Sequence, residues 1–168
     1  MFSSTKRPKI KIPRTKSEWF WDIIGYSIYI GMIVFLIVVW GKLPDQVPAH
    51  FNAAGEVDRW GSKWELMILP LVGFFTTMMM MGFEFFPEMH NYPKRFNESN
   101  AKAFYLNSRQ MINRLKNMVL ITFSLIMFDS ITIALEWNAG LGIWLLPIIL
   151  LLTFLPMVYS LIQRRNIR

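Results

Sequence analysis

Four stretches of this chain are apolar for about the length of a bilayer crossing, and the segments between them are polar and rich in turn residues. Residues 23–40 and 66–83 carry no charge, residues 118–135 carry one, Asp129, and residues 139–162 again carry none. About 18 or more consecutive apolar residues are what a transmembrane helix needs. A segment alone in lipid must also satisfy its own backbone groups, so all four are expected to be helices. Taken to their interfacial ends, the spans run over about 22–40, 65–84, 117–136 and 141–162. They leave an outer loop at 41–64 and an inner loop at 85–116. The expected fold is an all-α integral membrane protein, with one four-helix membrane domain at 19–168 after a basic arm at 1–18.

The period changes in the outer loop. Pro44 and Pro48 fix φ and discourage helix. Val47, Ala49 and Phe51 then alternate with Pro48, His50 and Asn52, which is strand spacing. Asn52-Ala53-Ala54-Gly55 reads as a turn with Gly55 at positive φ, and Asp58-Arg59-Trp60-Gly61 as a second turn signal. A short hairpin-like cap is predicted over the ends of the helices, with Val47, Phe51, Val57 and Trp60 toward the membrane or the bundle mouth. The inner loop opens irregularly through Pro87 and Pro93. Asn97 is positioned as a helix N-cap with Glu98 in the first turn. Phe104, Tyr105, Met111, Ile112 and Leu115 follow at helical spacing among Arg109, Arg114 and Lys116. This predicts an amphipathic helix on the inner membrane surface, leading into the third span. The short connection 136–140 makes the third and fourth spans an antiparallel pair.

Composition agrees with a membrane class. Hydrophobic residues make up 54% of the 168 and charged residues only 17%, against about 25% charged in an average soluble domain. There is no cysteine, which excludes disulfides, thiol catalysis and thiolate metal sites. The net charge of +7 matters less than its placement. Lys42, Arg59 and Lys63 lie in the outer loop, and every other lysine and arginine falls in the arm, the inner loop or the C-terminal tail. The positive-inside rule then places both termini in the cytoplasm and the cap outside. On that placement Trp40, Trp60, Trp64, Trp137 and Trp144 form an outer aromatic belt, with Trp19 and Trp21 inside. The first apolar run exceeds the roughly 7–15 residues of a signal-peptide core, so it is expected to be a retained anchor. The basic arm lacks a folded reader of bases, so it is assigned to the lipid surface and not to nucleic acid.

Candidate chemistry is sparse. His50 with Asp58 and Glu56 could form a base with its orienting groups, but zinc normally takes at least three protein ligands. His90 cannot complete that set, because a span separates it from His50. Glu84, Glu88 and His90 form an inner cluster of unconstrained geometry. No His-Glu-x-x-His, Gly-x-Ser-x-Gly or phosphate-binding glycine loop is present. No catalytic residue, metal or cofactor is therefore assigned. Met78–Met81 point all around a helix and cannot converge on a copper ion, so they are assigned to packing. Asp129 in the third span is expected to face the bundle interior, either as a functional group or as a hydrogen-bonded structural one.

The outer pattern Leu43-Pro44, Val47-Pro48, His50-Phe51-Asn52, Gly55, Asp58, Trp60-Gly61-Ser62-Lys63 resembles the uncharacterised N-terminal domain shared by SdpI-like toxin-immunity and signalling proteins of bacteria. A second stretch, Asn91-Tyr92-Pro93 followed by Glu98, Asn100 and Tyr105, is similar to the inner-loop pattern of that group. The resemblance implies a bacterial plasma-membrane protein that guards against a membrane-acting peptide or reports it to a cytoplasmic regulator. Three readings stay open on the residues: a binding or sensing module whose outer loop recognises a peptide or lipid; an accessory subunit of a transporter that docks through Asp129 and glycine-bearing helix faces; and an intramembrane hydrolase using His50 or the Glu84, Glu88, His90 cluster.

Overall fold

The computed structural model describes residues 7–167. The order of elements is α1 (Lys16–Val39), β1 (Gln46–Phe51), β2 (Val57–Ser62), α2 (Ile68–Phe85), α3 (Ala101–Ala134) and α4 (Leu145–Arg165). Four helical segments, covering these helices with their flanking turns, are long and apolar enough to cross a membrane, which suggests a multi-pass membrane protein. α3 is the central helix, and α1, α2 and α4 each pack on it. Its spanning segment is also the most buried of the four, whereas α1, α2 and α4 turn rows of large apolar side chains outward, among them Ile37, Val38, Phe75, Leu151 and Leu155. A helix ringed by others need not be apolar all round, and α3 has the lowest apolar content of the four.

Two expectations about the basic end are corrected. The predicted amphipathic helix does run into the third span, residues 101–134 forming one helix of 34 residues, but its basic face is buried and not turned outward. Arg109, Asn113, Lys116 and Asn117 recur on one face of that helix and point into the bundle. Asn97 is not its N-cap. The Asn97 side chain instead accepts from the Ser99 and Asn100 amides in a preceding turn, and α3 starts after Asn100. The arm also differs from expectation. Its residues 1–6 lie outside the described residues, but α1 starts at Lys16 behind a capping box, in which Thr15 Oγ1 accepts from the Glu18 amide while the Glu18 carboxylate accepts from the Thr15 amide. Residues 7–15 form no regular element and are held on the bundle, with the Ile12 and Pro13 carbonyls accepting from Arg109.

At the opposite end the core is apolar. Met32, Leu36 and Val39 of α1 meet Met127 and Ile131 of α3, and Leu43, Val47 and Leu66 close over them. β1 and β2 pair antiparallel, with Gln46 opposite Ser62, Val47 opposite Gly61 and Pro48 opposite Trp60, then with irregular register through His50 and Phe51. Val47 is fully buried, which fixes which face of the hairpin looks down. Trp60, expected on that face, is instead half exposed. The expected turn at 52–55 has Gly55 at φ 75°. A Cβ there would fall 1.7 Å from the Gly142 carbonyl oxygen, so the tip of the hairpin rests on the α3–α4 connection and has room only for glycine.

Candidate functional site

The predicted outer-loop residues divide into those that build the hairpin and those that line a cavity beneath it. Leu43 is part of the apolar core and Pro44 is exposed. The Asn52 Oδ1 accepts from the Ala54 and Glu56 amides, and its Nδ2 donates to the Glu56 carboxylate, so this one side chain closes the turn. Lys63 lies over the Trp40 ring and 3.6 Å from Asp45. His50 Nδ1 sits 2.6 Å from Asp58 Oδ1, with both side chains exposed. Arg59 donates to both oxygens of Glu65, at 2.8 and 3.3 Å, and to the Ala49 carbonyl at 3.2 Å. The hydrogen bond to Glu65 raises the Arg59 pKa further, so this group is a permanent cation.

The cavity has a volume of about 460 Å³, within the roughly 300–1,000 Å³ of small-molecule sites. Pro48, His50, Phe51 and Asn52 of the predicted motif form its roof, with Arg59 and Glu65 at the rim. Ile126 and Ser130 of α3, Leu69 of α2 and Leu145 and Ile149 of α4 complete an apolar bowl. The pairing of His50 with Asp58 has the form of a base held by a carboxylate. Among the described residues no serine, threonine or cysteine is hydrogen-bonded to His50, so the pair lacks the nucleophile that would complete an acyl-transfer site.

The inner-loop residues come together only in part. Tyr92 stacks with Phe96 at 4.9 Å between ring centroids and meets Tyr105 at 5.4 Å, with Phe104 edge-on. The Tyr92 hydroxyl donates to the Pro87 carbonyl, and burial pushes its pKa up to about 12. Arg7 lies over the Tyr92 and Phe96 rings and donates to the Glu88 and His90 carbonyls, so the arm closes this box. Asn100 Nδ2 donates to the Arg95 carbonyl, while Asn91, Pro93 and Glu98 are exposed. The Glu84, Glu88, His90 cluster does not form. Glu84 turns to Lys116 and Arg14, whereas His90 is hydrogen-bonded to Ser108 and to the Phe83 carbonyl. Burial lowers the His90 pKa, which favours the neutral ring. Among the described residues no group of three histidine or carboxylate side chains could hold a metal.

A constellation absent from the sequence reading occupies the basic half of the bundle. Glu18, Asp22 and Glu84 are buried with Lys116 and Arg109, and Arg14 reaches in from the arm. Arg109 grips Glu18 through two bonds of 2.7 and 3.0 Å. Lys116 lies 2.7 Å from Glu84 and 3.1 Å from Asp22. Asn113 and Asn117 both donate to Asp22. Three acids face three bases, which is how buried charge becomes tolerable. Gly25 allows the approach: a Cβ there would sit 2.2 Å from Asn117 Oδ1. The four-residue spacing of Glu18 and Asp22, matched by that of Arg109 and Asn113, was the available signal. Asp129, by contrast, serves the hairpin end. Its Oδ1 accepts from the Leu141 amide and pins the α3–α4 connection.

Fold and site together define a small helical bundle of membrane type, ion-paired at one end and capped by a β-hairpin over a cavity at the other. Residues 28–74 match the family model of a domain of unknown function, DUF1648. That match runs from mid-α1 through the whole hairpin into α2, and so holds the whole cavity roof and rim and none of the inner-loop pattern. A protein of Archaeoglobus fulgidus, described as uncharacterized, is 36% identical over 76 residues, which is 44% of this chain and 40% of the relative. The chain thus spans less than half the length of that relative. No solved structure matches it.

Proposed function

We propose that this protein is a plasma-membrane binding module, with its hairpin outside and both termini in the cytoplasm. It takes an amphipathic peptide or lipid at the hairpin end. In keeping with the resemblance to SdpI-like proteins, it protects the cell against a membrane-acting peptide or passes word of it to a cytoplasmic regulator. The observation that carries this reading is the cavity of about 460 Å³ roofed by Pro48, His50, Phe51 and Asn52, the residues that also carry the resemblance. The asymmetry of lysine and arginine supports the orientation.

The test is survival of cells that produce the protein and are challenged with membrane-acting peptides. Alanine at His50, Asn52 or Asp58 is expected to remove protection while leaving the amount of protein in the membrane unchanged. Full protection in all three variants would contradict the reading.

A further inference from the structure

The cavity has a feature that a peptide site does not require: it is continuous with the lipid-facing surface. α2 and α4 each pack on α3 but make little contact with one another, and the cavity lies in the gap between them. Ile68 and Leu146, which line it, are also among the exposed apolar side chains of the outer faces. Trp64 and Trp144, next in the chain to the lining residues Glu65 and Leu145, are both largely exposed, as side chains at the level of lipid headgroups are. An apolar bowl open to hydrocarbon does not stay empty, because its lining would lose dispersion contacts on one side.

The rim narrows the choice of occupant. It carries one ion pair, Arg59 on Glu65 at 2.8 Å, with the His50 ring also part of the lining. A headgroup with one phosphate and one ammonium can meet both signs at once. A headgroup that is only anionic would meet Arg59 with its phosphate but bring no cation to the neighbouring Glu65 carboxylate, and like charges brought together weaken association. We propose that the cavity is a phospholipid site that takes one acyl chain between α2 and α4 and holds a zwitterionic head, phosphate toward Arg59 and ammonium toward Glu65. This rests on the reading of the hairpin end as the binding face.

The probe is phosphatidylethanolamine against phosphatidylglycerol. The full chain is reconstituted in nanodiscs holding equal amounts of the two, transferred to mild detergent and examined by native mass spectrometry. One phosphatidylethanolamine per chain is expected to remain, preferred by about tenfold, the scale of one hydrogen bond to a charged group. Arg59→Ala removes a phosphate partner on an exposed strand and should lower retention about tenfold. Ile149→Trp fills the bowl and should do the same. Glu65→Gln should shift the ratio toward phosphatidylglycerol. Leu155→Trp, on the lipid face of α4 outside the cavity, should retain as much as the wild type. Equal retention of both lipids overturns the proposal, as does unchanged retention in both Arg59→Ala and Ile149→Trp. A cationic peptide that binds at the cavity and displaces no lipid overturns it too. Any of these three results would leave the alanine test at His50, Asn52 and Asp58 standing on its own.

Discussion

The two halves of α3 solve the same packing problem with opposite chemistry. From Ala101 to Asn117 its buried face carries Arg109, Asn113, Lys116 and Asn117, joined to Glu18, Asp22 and Glu84. From Met118 onward the contacts with α1 include Met127 and Ile131 on Met32, Leu36 and Val39, and Phe128 on Phe35. In a lipid setting apolar packing between helices has no large advantage over lipid contact. The polar half supplies what the apolar half cannot, a set of partners that no lipid can replace. The difference teaches that the basic end is the fixed frame of the molecule. The hairpin end, roofed over a cavity, is the part able to admit something else.

The comparison can be broken most forcefully at Lys116. Lys116→Met leaves Asp22 and Glu84 buried with only Arg14 opposite, and should cost about 3–5 kcal/mol of stability in detergent unfolding. Adding Asp22→Asn and Glu84→Gln should recover much of that, since neutral polar groups replace the abandoned charges. If Lys116→Met is harmless, the ion-paired end is not a frame. Smaller effects are expected at the other end. Gly55→Ala must hold an L side chain at positive φ, a penalty of about 1–2 kcal/mol, and its Cβ meets the Gly142 carbonyl. It should loosen the hairpin and speed proteolysis between 52 and 57 while leaving unfolding of the helices nearly unchanged.

The smallest effect concerns pH. The folded His90 pKa lies below the ordinary value of about 6.5, because burial favours the neutral ring. The unfolded chain therefore takes up its proton first. The stability tied to neutral His90 is present above about pH 6.5 and is lost as pH falls below it. Melting temperature should drop further between pH 7.5 and 5.5 in the wild type than in His90→Gln. Equal slopes would show that His90 does not report the state of the inner box.

How much of this was legible follows from what each segment must satisfy. The four spans were written in uninterrupted apolar length, and the hairpin in Pro48, the alternation of Val47 with His50, and Gly55. The polar core was not read, because Arg109, Arg114 and Lys116 were given to a membrane surface, where basic side chains usually lie. In a helix surrounded by three others the polar face turns inward instead, and the clue was the pairing of Glu18 and Asp22 one turn apart with Arg109 and Asn113 at the same spacing. The cavity could not be read at all. It is the space between α2 and α4 under β1, and no local pattern encodes how far apart two helices settle on a third.

The account depends above all on the hairpin and the inner box lying on opposite sides of one membrane. The chain has no cysteine, so single cysteines report cleanly. Ala53→Cys in the hairpin turn and Lys94→Cys in the inner loop, both at exposed positions, can be treated in intact cells with a membrane-impermeant maleimide. Labelling of Cys introduced at 53 in intact cells, and at 94 only after the membrane is opened, is the predicted result. Labelling of both positions from outside, or of the inner-loop position alone, would contradict it.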